Sequence, residues 1–399
     1  MKHYALALGL AWPLAAQAQW TFDPALDVTS GKGLFHHLEA SGRQALAISG
    51  NQVAITWEDD RTGTPRCYLA IKAEGQNSFS EQGFGQGECY APGIAAMADG
   101  RFAVIWEDET GVKAAVTQAG KLGPATSLAD KGSQSALAWH PRLGLMATWS
   151  GQAGHLHRLW LGRMAVDNDQ LRLTAKYPLE PSQPKDDQLF PALVSTSQGV
   201  ALAWEDRRLG HTVIFGSRSD DGATWAPPTR VSQNPTGKAQ GTDLGRGTGA
   251  MRPTLATMEG DKVATVWLDK RDFLSGYDVY AALPGDTTGK NTKVQDSFGD
   301  AIAQWHPAST GNGKDKLVVA WDDDRDGTPD IWLGWLTPQG IFSENIAPPP
   351  AAGPHQQTDP VLALDDAGRL HLAWVERDAS GQSSIRYSLG YPEPAPEKN

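Results

Sequence analysis

The chain has 399 residues, more than a single compact core usually organises, and its 35 basic and 46 acidic side chains leave a net charge of −11,. That balance argues against a nucleic-acid partner, whose phosphates need a basic stripe. The two cysteines, an even count, suggest one pair formed in an oxidising compartment,.

At the start, Met1-Lys2-His3 is a short basic segment, Tyr4–Leu14 an apolar one, and Ala16-Gln17-Ala18 a small-residue cleavage pattern. Residues 1–18 therefore read as a secretory signal peptide, followed by one domain over 19–390 and a Pro-rich tail over 391–399. The apolar run is shorter than the roughly 20 residues that span a bilayer, so no membrane span is expected and the predicted location is periplasmic or secreted. No cysteine stands at the cleavage point to carry a lipid anchor.

From there a unit repeats about every 50 residues: an apolar run ending in Trp, at Trp57, Trp106, Trp149, Trp204, Trp267, Trp321 and Trp374,. The clearest copy is Val200–Arg208, a charged turn, the returning run Thr212–Phe215, and a second turn at Asp220–Trp225,. Such a unit is a blade, so the expectation is an all-β, seven-bladed β-propeller, with six blades as the alternative. The segment Trp20–Val28 has the cadence of Trp225–Val231, an outer strand, while the last copy ends at Ser384–Ser388 without one. The N-terminal strand is therefore predicted to close the ring on the last blade and remove an exposed edge.

Taken in order, blade one runs from about Ala40 to Gly87, with Trp57-Glu58-Asp59-Asp60-Arg61 at its turn. Cys67 falls after that turn and Cys89 before Pro92, so a Cys67–Cys89 disulfide is expected to staple blades one and two,. Blade two has Thr110 in place of Arg, and blade three has Trp149-Ser150-Gly151-Gln152 followed by His155-Leu156-His157. Blades four, five and six repeat the Asp/Arg turn with Arg208, Arg271 and Arg325, and blade seven reduces it to Trp374-Val375-Glu376-Arg377. A Pro precedes most of these Trp residues (Pro92, Pro141, Pro191, Pro253, Pro307, Pro360) and is read as opening the innermost strand,. Residues just before those prolines and the Asp/Arg turns then share one mouth of the ring, and the Asp220–Trp225 turn lies on the other face.

Asp220, Gly222, Thr224 and Trp225 resemble the Asp-box, or BNR repeat, of the sialidase superfamily (Ser-x-Asp-x-Gly-x-Thr-Trp), with Arg218 at the Ser position. The resemblance implies a propeller in which Asp220 and Thr224 brace a hairpin away from the active face. Sialidases bind carboxylate with three arginines and use a Tyr/Glu pair with an Asp. Here Tyr387-Ser388 resembles the family's late Tyr-Ser, the Phe-Arg-Ile-Pro motif is absent, and seven repeats stand against the family's six blades.

The repeated pairs Asp59/Arg61, Asp206/Arg208, Asp269/Arg271 and Asp323/Arg325 offer a ring of guanidinium forks for an anionic ligand, or ion pairs that hold the turns,. Residues that break the repeat are better candidates for a ligand: His140, Arg252 and His306, each before a proline,. His155 and His157 have the spacing of two ligands on one strand face, and His36, His37 and His355 have no assigned partner. Asp322, Asp324, Asp326 and Asp330 resemble a calcium loop, the one cofactor considered,. The functional expectation is an exported recognition module whose charged mouth binds a glycan, an anionic ligand or a partner protein. A glycoside-acting enzyme and a structural scaffold in a cell-envelope assembly are the alternatives, and whether any reaction is catalysed stays open.

Overall fold

The computed structural model describes residues 20–38, 42–98, 100–167, 170–233, 249–271, 276–286 and 290–392. The leader expected over 1–18 lies outside these residues, as does the tail beyond Pro392. Seven antiparallel sheets succeed one another along the chain and stand in a ring, a seven-bladed β-propeller. The alternative of six blades is thereby excluded. One 3-10 turn, Pro349–Ala351, is the only helical piece among the described residues.

Each blade is organised by its second strand, whose apolar run is sandwiched between neighbouring blades. Val200–Asp206 and Leu317–Asp323 are buried along their whole length. The seven Trp side chains end these runs, and each is at most 2% exposed. Burying one indole contributes up to about 5 kcal/mol on area grounds.

An indole N–H taken out of water needs an acceptor. In five blades the Asp two residues on supplies it, at 2.8–2.9 Å: Trp57–Asp59, Trp106–Asp108, Trp204–Asp206, Trp267–Asp269 and Trp321–Asp323. Directly across on the third strand, Trp57, Trp204, Trp267 and Trp321 face Tyr68, Phe215, Tyr280 and Trp332. In those four blades the repeated Arg stacks on the facing ring, with its guanidinium carbon 4.0, 4.9, 3.8 and 4.1 Å from the centroid,. It also grips the Asp that holds the indole. Blades two and seven set Lys113 and Arg386 opposite their Trp, and there the Arg of the turn is lost or displaced with the facing ring; blade three keeps a facing ring, Trp160, but has neither the Asp nor the Arg of the turn.

The Pro marks lie inside the innermost strands, at β-bulges, rather than at their openings. The register shifts by a residue between Tyr90 and Gly93, Leu189 and Ala192, Met251 and Thr254, Trp305 and Ala308, and Thr358 and Val361,. Blade three has the same shift between Ser133 and Ala136 without a proline. Pro141 is instead in the turn that follows, so His140 ends its strand opposite Gly144 on the far face.

Blade one departs most from expectation. Its innermost strand begins at His36–His37, earlier than Ala40, and resumes at Leu46–Ser49. Between them Gly42 stands against the opposite side of the ring: a Cβ on it would lie 2.3 Å from the carbonyl oxygen of Pro191 in blade four. Positive φ, here +75°, is what glycine supplies,.

Closure is as predicted. Trp20–Phe22 pairs with Gly390–Pro392, and Leu26–Asp27 with Arg386–Tyr387, completing blade seven. That strand runs Ser383–Pro392, two residues into the expected tail. Cys67 and Cys89 form a disulfide between blades one and two, with Cα atoms 5.4 Å apart and 22 residues of separation, which contributes about 3 kcal/mol in the chain-entropy picture.

Deleting residues 20–28 opens an edge and uncovers apolar side chains, and is expected to lower unfolding free energy by several kcal/mol in a denaturant titration. An unchanged midpoint contradicts closure by this strand.

The seam between the last and first blades is also predicted to be acid-sensitive. Burial, reinforced by Arg61, pushes His36 from 6.5 to about 4, and burial does the same to His371. Between pH 6.5 and 4 the unfolded chain binds protons that the folded chain refuses. Stability is therefore fully present above pH 6.5 and falls with pH towards 4, by on the order of 3 kcal/mol per histidine. A His36→Gln, His371→Gln double variant should flatten that slope in urea titrations across the window.

The candidate ligand-binding mouth

Six bulges place one residue each in the left-handed region: Ala91, Gln134, Phe190, Arg252, His306 and Asp359, with φ between 47° and 58°. None is glycine, so each costs on the order of 1 kcal/mol and persists because neighbours fix it. The fixing groups are the acids that follow the Trp residues. Glu58 accepts the N–H of Ala91, Glu205 that of Arg252 at 2.8 Å, and Asp322 that of Asp359 at 3.0 Å, each reaching from one blade to the next. Glu107 takes the N–H of Ser135 at 2.9 Å. Blade three has Ser150 in place of the acid, and there the side chain of Gln134 accepts the N–H of Phe190 at 2.9 Å instead.

Held in this way, the bulge residues form the inner rim. His306 Nδ1 donates to Asp322 Oδ1 at 2.7 Å, and its Nε2 lies 3.5 Å from Asp359 Oδ1. His37 continues the chain of charge, with Nε2 3.9 Å from Asp359 and Nδ1 3.8 Å from Glu58. Burial pushes the Asp322 carboxyl up, against the pull of His306,. Across the rim the Arg252 guanidinium stacks over Phe190 at 3.9 Å. Outside this polar ring stand Phe35, Tyr90 and Trp305, 37%, 38% and 44% exposed, each one or two positions before a rim residue. Tyr277 leans on Trp305 with ring centroids 5.4 Å apart.

The repeated arginines are placed differently. Each holds its own Asp and a second acceptor: Glu81 for Arg61 at 2.7 Å, Glu180 for Arg208 at 2.5 Å, Asn291 for Arg271 at 3.2 Å, Asp296 for Arg325 at 3.2 Å. Their side chains range from 1% exposed at Arg325 to 20% at Arg208.

Other expectations are corrected. His140 is away from the mouth, nearly buried, with Nδ1 accepting the N–H groups of Arg142 and Leu143. His155 lies in a turn, not on a strand with His157, and His157 pairs with Asp187 at 3.2 Å. His355 meets Glu376 at 3.2 Å. The calcium set does not converge: Asp322 faces His306, Asp330 accepts the N–H of Gly353 at 3.0 Å, and Asp324 and Asp326 are exposed. Among the described residues no three His, Cys, Asp or Glu side chains form a metal site. In the Asp220–Trp225 turn the bracing carboxylate is Asp221, which accepts from Ala223 N at 2.8 Å, Thr224 N at 2.7 Å and Ser219 Oγ at 3.1 Å. Those N–H groups hold its pKa well below the usual carboxylate range.

Phe190 and Asp359 were placed at the mouth as residues before prolines but not named as ligand candidates, and His37 and the outer aromatics were not placed there. The usable signal was the residue before each Pro mark other than Pro141, read whatever its charge.

No protein-family model and no curated protein sequence matches the chain. Among solved structures, a protein of unknown function from Dyadobacter fermentans is similar over 94% of this chain and 99% of its own, at 10% identity and TM-score 0.56. The β-propeller domain of the Trilobed protease from Pyrococcus furiosus aligns over 86% and 91%, at 10% identity and TM-score 0.51. The alpha-L-arabinanase of Penicillium chrysogenum, solved with arabinobiose, aligns over 75% and 92%, at 14% identity and TM-score 0.50. At these identities the likeness is of fold.

Arg325→Ala is expected to lower stability by about 3–5 kcal/mol, because it leaves Asp323 buried without its countercharge. Arg208→Ala, at the more exposed lock, should lose less. Denaturant midpoints of the two variants give the comparison, and equal losses would contradict the burial argument.

Proposed function

We propose that the protein is an exported recognition module whose mouth binds a glycan. One observation carries the reading: strained bulges turn Arg252, His306 and Asp359 onto a rim that exposed Phe35, Tyr90 and Trp305 surround. Sugar rings present apolar faces edged with hydroxyls, which suit aromatic platforms beside fixed donors and acceptors. Export to a periplasmic or extracellular location is supported by the disulfide and the leader pattern,. Among the described residues no helix is long and apolar enough to cross a membrane.

A hydrolytic reading is favoured by one feature, two carboxylates facing one imidazole, with burial raising that of Asp322 as a general acid requires,. Release of reducing ends from the bound glycan would select it over simple binding.

The test is a glycan array on the mature protein, followed by calorimetry on the best binder. Arg252→Ala and Trp305→Ala should each weaken binding by about 1.5–3 kcal/mol with little change in melting temperature. Loss of folding at Arg252→Ala with unchanged affinity removes it from the site.

A further inference from the structure

On the face opposite the mouth, blades seven and one part to leave a cleft of about 710 Å³, a size that suits a small molecule. Its floor is Tyr387 and His371, 2% and 7% exposed, and Leu26 of the closing strand forms part of the wall. The Tyr387 hydroxyl lies 2.7 Å from His371 Nδ1. Burial keeps that phenol protonated and that imidazole neutral. The hydroxyl therefore donates to Nδ1, and the ring proton falls on Nε2. Nε2 is buried without a hydrogen-bond partner, 3.5 Å from Asp365 Oδ2.

Two cations line the same cleft. Arg369 is committed, 2.5 Å from Asp365 and 3.0 Å from Glu74. Lys72 is not: its ammonium donates to the Gln76 carbonyl at 3.1 Å and stands 5.8 Å over the Tyr387 ring, and among the described residues it has no carboxylate within 4.0 Å. Burial pushes its pKa down; the more distant Glu74 and Asp23 oppose this, while Arg369 adds to it. The partly desolvated ammonium has one acceptor, the Gln76 carbonyl, and the imidazole N–H has only the long contact to Asp365, whose carboxylate is held by Arg369; the other acids that face the cleft are bound to Arg369 or stand at the solvent rim,.

We propose that this cleft is a second ligand site, for a small carboxylate whose charged group seats beside Lys72 on the Tyr387–His371 floor. The amide side chains of Asn51 and Asn77 at the rim suit a hydroxylated body such as that of a sugar acid. Asp23, Pro24 and Leu26 line the same space, so an occupant ties the two chain ends together and stabilises the closed ring by mass action. The site stands independently of the glycan reading of the mouth.

The probe pair is galacturonate and galactose, which differ in the carboxylate, studied by calorimetry and thermal unfolding of the mature chain. Galacturonate should bind saturably and raise the melting temperature, and galactose should bind at least tenfold more weakly. Lys72→Met should lose at least tenfold in galacturonate affinity while keeping or raising its ligand-free melting temperature, and Lys72→Arg should restore binding. Arg252→Ala at the mouth should leave all of this unchanged. The proposal is overturned if galacturonate shows no saturable binding, if galactose binds equally, if Lys72→Met binds as the parent does, or if Arg252→Ala abolishes binding. Should Lys72→Met not fold, Lys72→Gln makes the same comparison.

Discussion

Five of the seven buried blade indoles donate to the Asp two residues on, and those blades are assembled around that hydrogen bond; Trp374, in a blade without the Asp, keeps its N–H buried and unpartnered,. The Asp satisfies the indole within the strand itself, but the solution buries a carboxylate. The carboxylate in turn needs a cation, and Arg two residues further on can curl back only if its guanidinium has a surface to rest on. The aromatic residue across the third strand is that surface. One unmet hydrogen bond thus propagates into a four-residue arrangement, which explains why Asp, Arg and the facing ring come together in four blades.

Much of this was legible in the sequence because the fold repeats. The Trp spacing fixes the blades, and the orphaned last blade together with Trp20–Val28 fixes the closure. The role of the Asp/Arg turns was ambiguous because a charged turn reads alike as ligand fork and as lock. The ambiguity could have been narrowed in the blades that keep the Asp: Arg occurs in the turn where Tyr68, Phe215, Tyr280 or Trp332 follows the Trp by about a dozen residues, and Thr110 replaces it where Lys113 sits opposite, whereas blade three has Trp160 but no Asp for an Arg to hold. His140 misled because a proline in a hairpin turn and a proline in a bulge look the same in sequence. The difference lies in register, which only pairing reveals.

Strain is what separates the mouth from the rest of the ring. A bulge residue at positive φ points out of the plane its strand would otherwise impose, and the acid of the preceding blade anchors its N–H,. The anchoring acids are structural, yet they leave carboxyl oxygens at the rim, so the device that holds the backbone also supplies the polarity of the site. Blade three shows that the chemistry of the anchor can change, since Gln134 replaces the missing acid for Phe190.

The first blade decides from which side a ligand can arrive. Its Gly42 meets Pro191 of blade four, and by Ala45 the chain is back beside the second strand, where the Ala45 carbonyl accepts the N–H of Thr56 at 2.9 Å. Arg43 is buried along this stretch, and Glu107 of blade two feels its charge. The Gly42–Pro191 contact joins opposite blades, so a ligand at the proposed rim would be approached from the mouth. The seam cleft opens on the other face, so the two sites share blades seven and one but not a common space. Any coupling between them has to pass through strands such as Leu370–Arg377, which runs from His371 at the cleft floor to Glu376 beside His355.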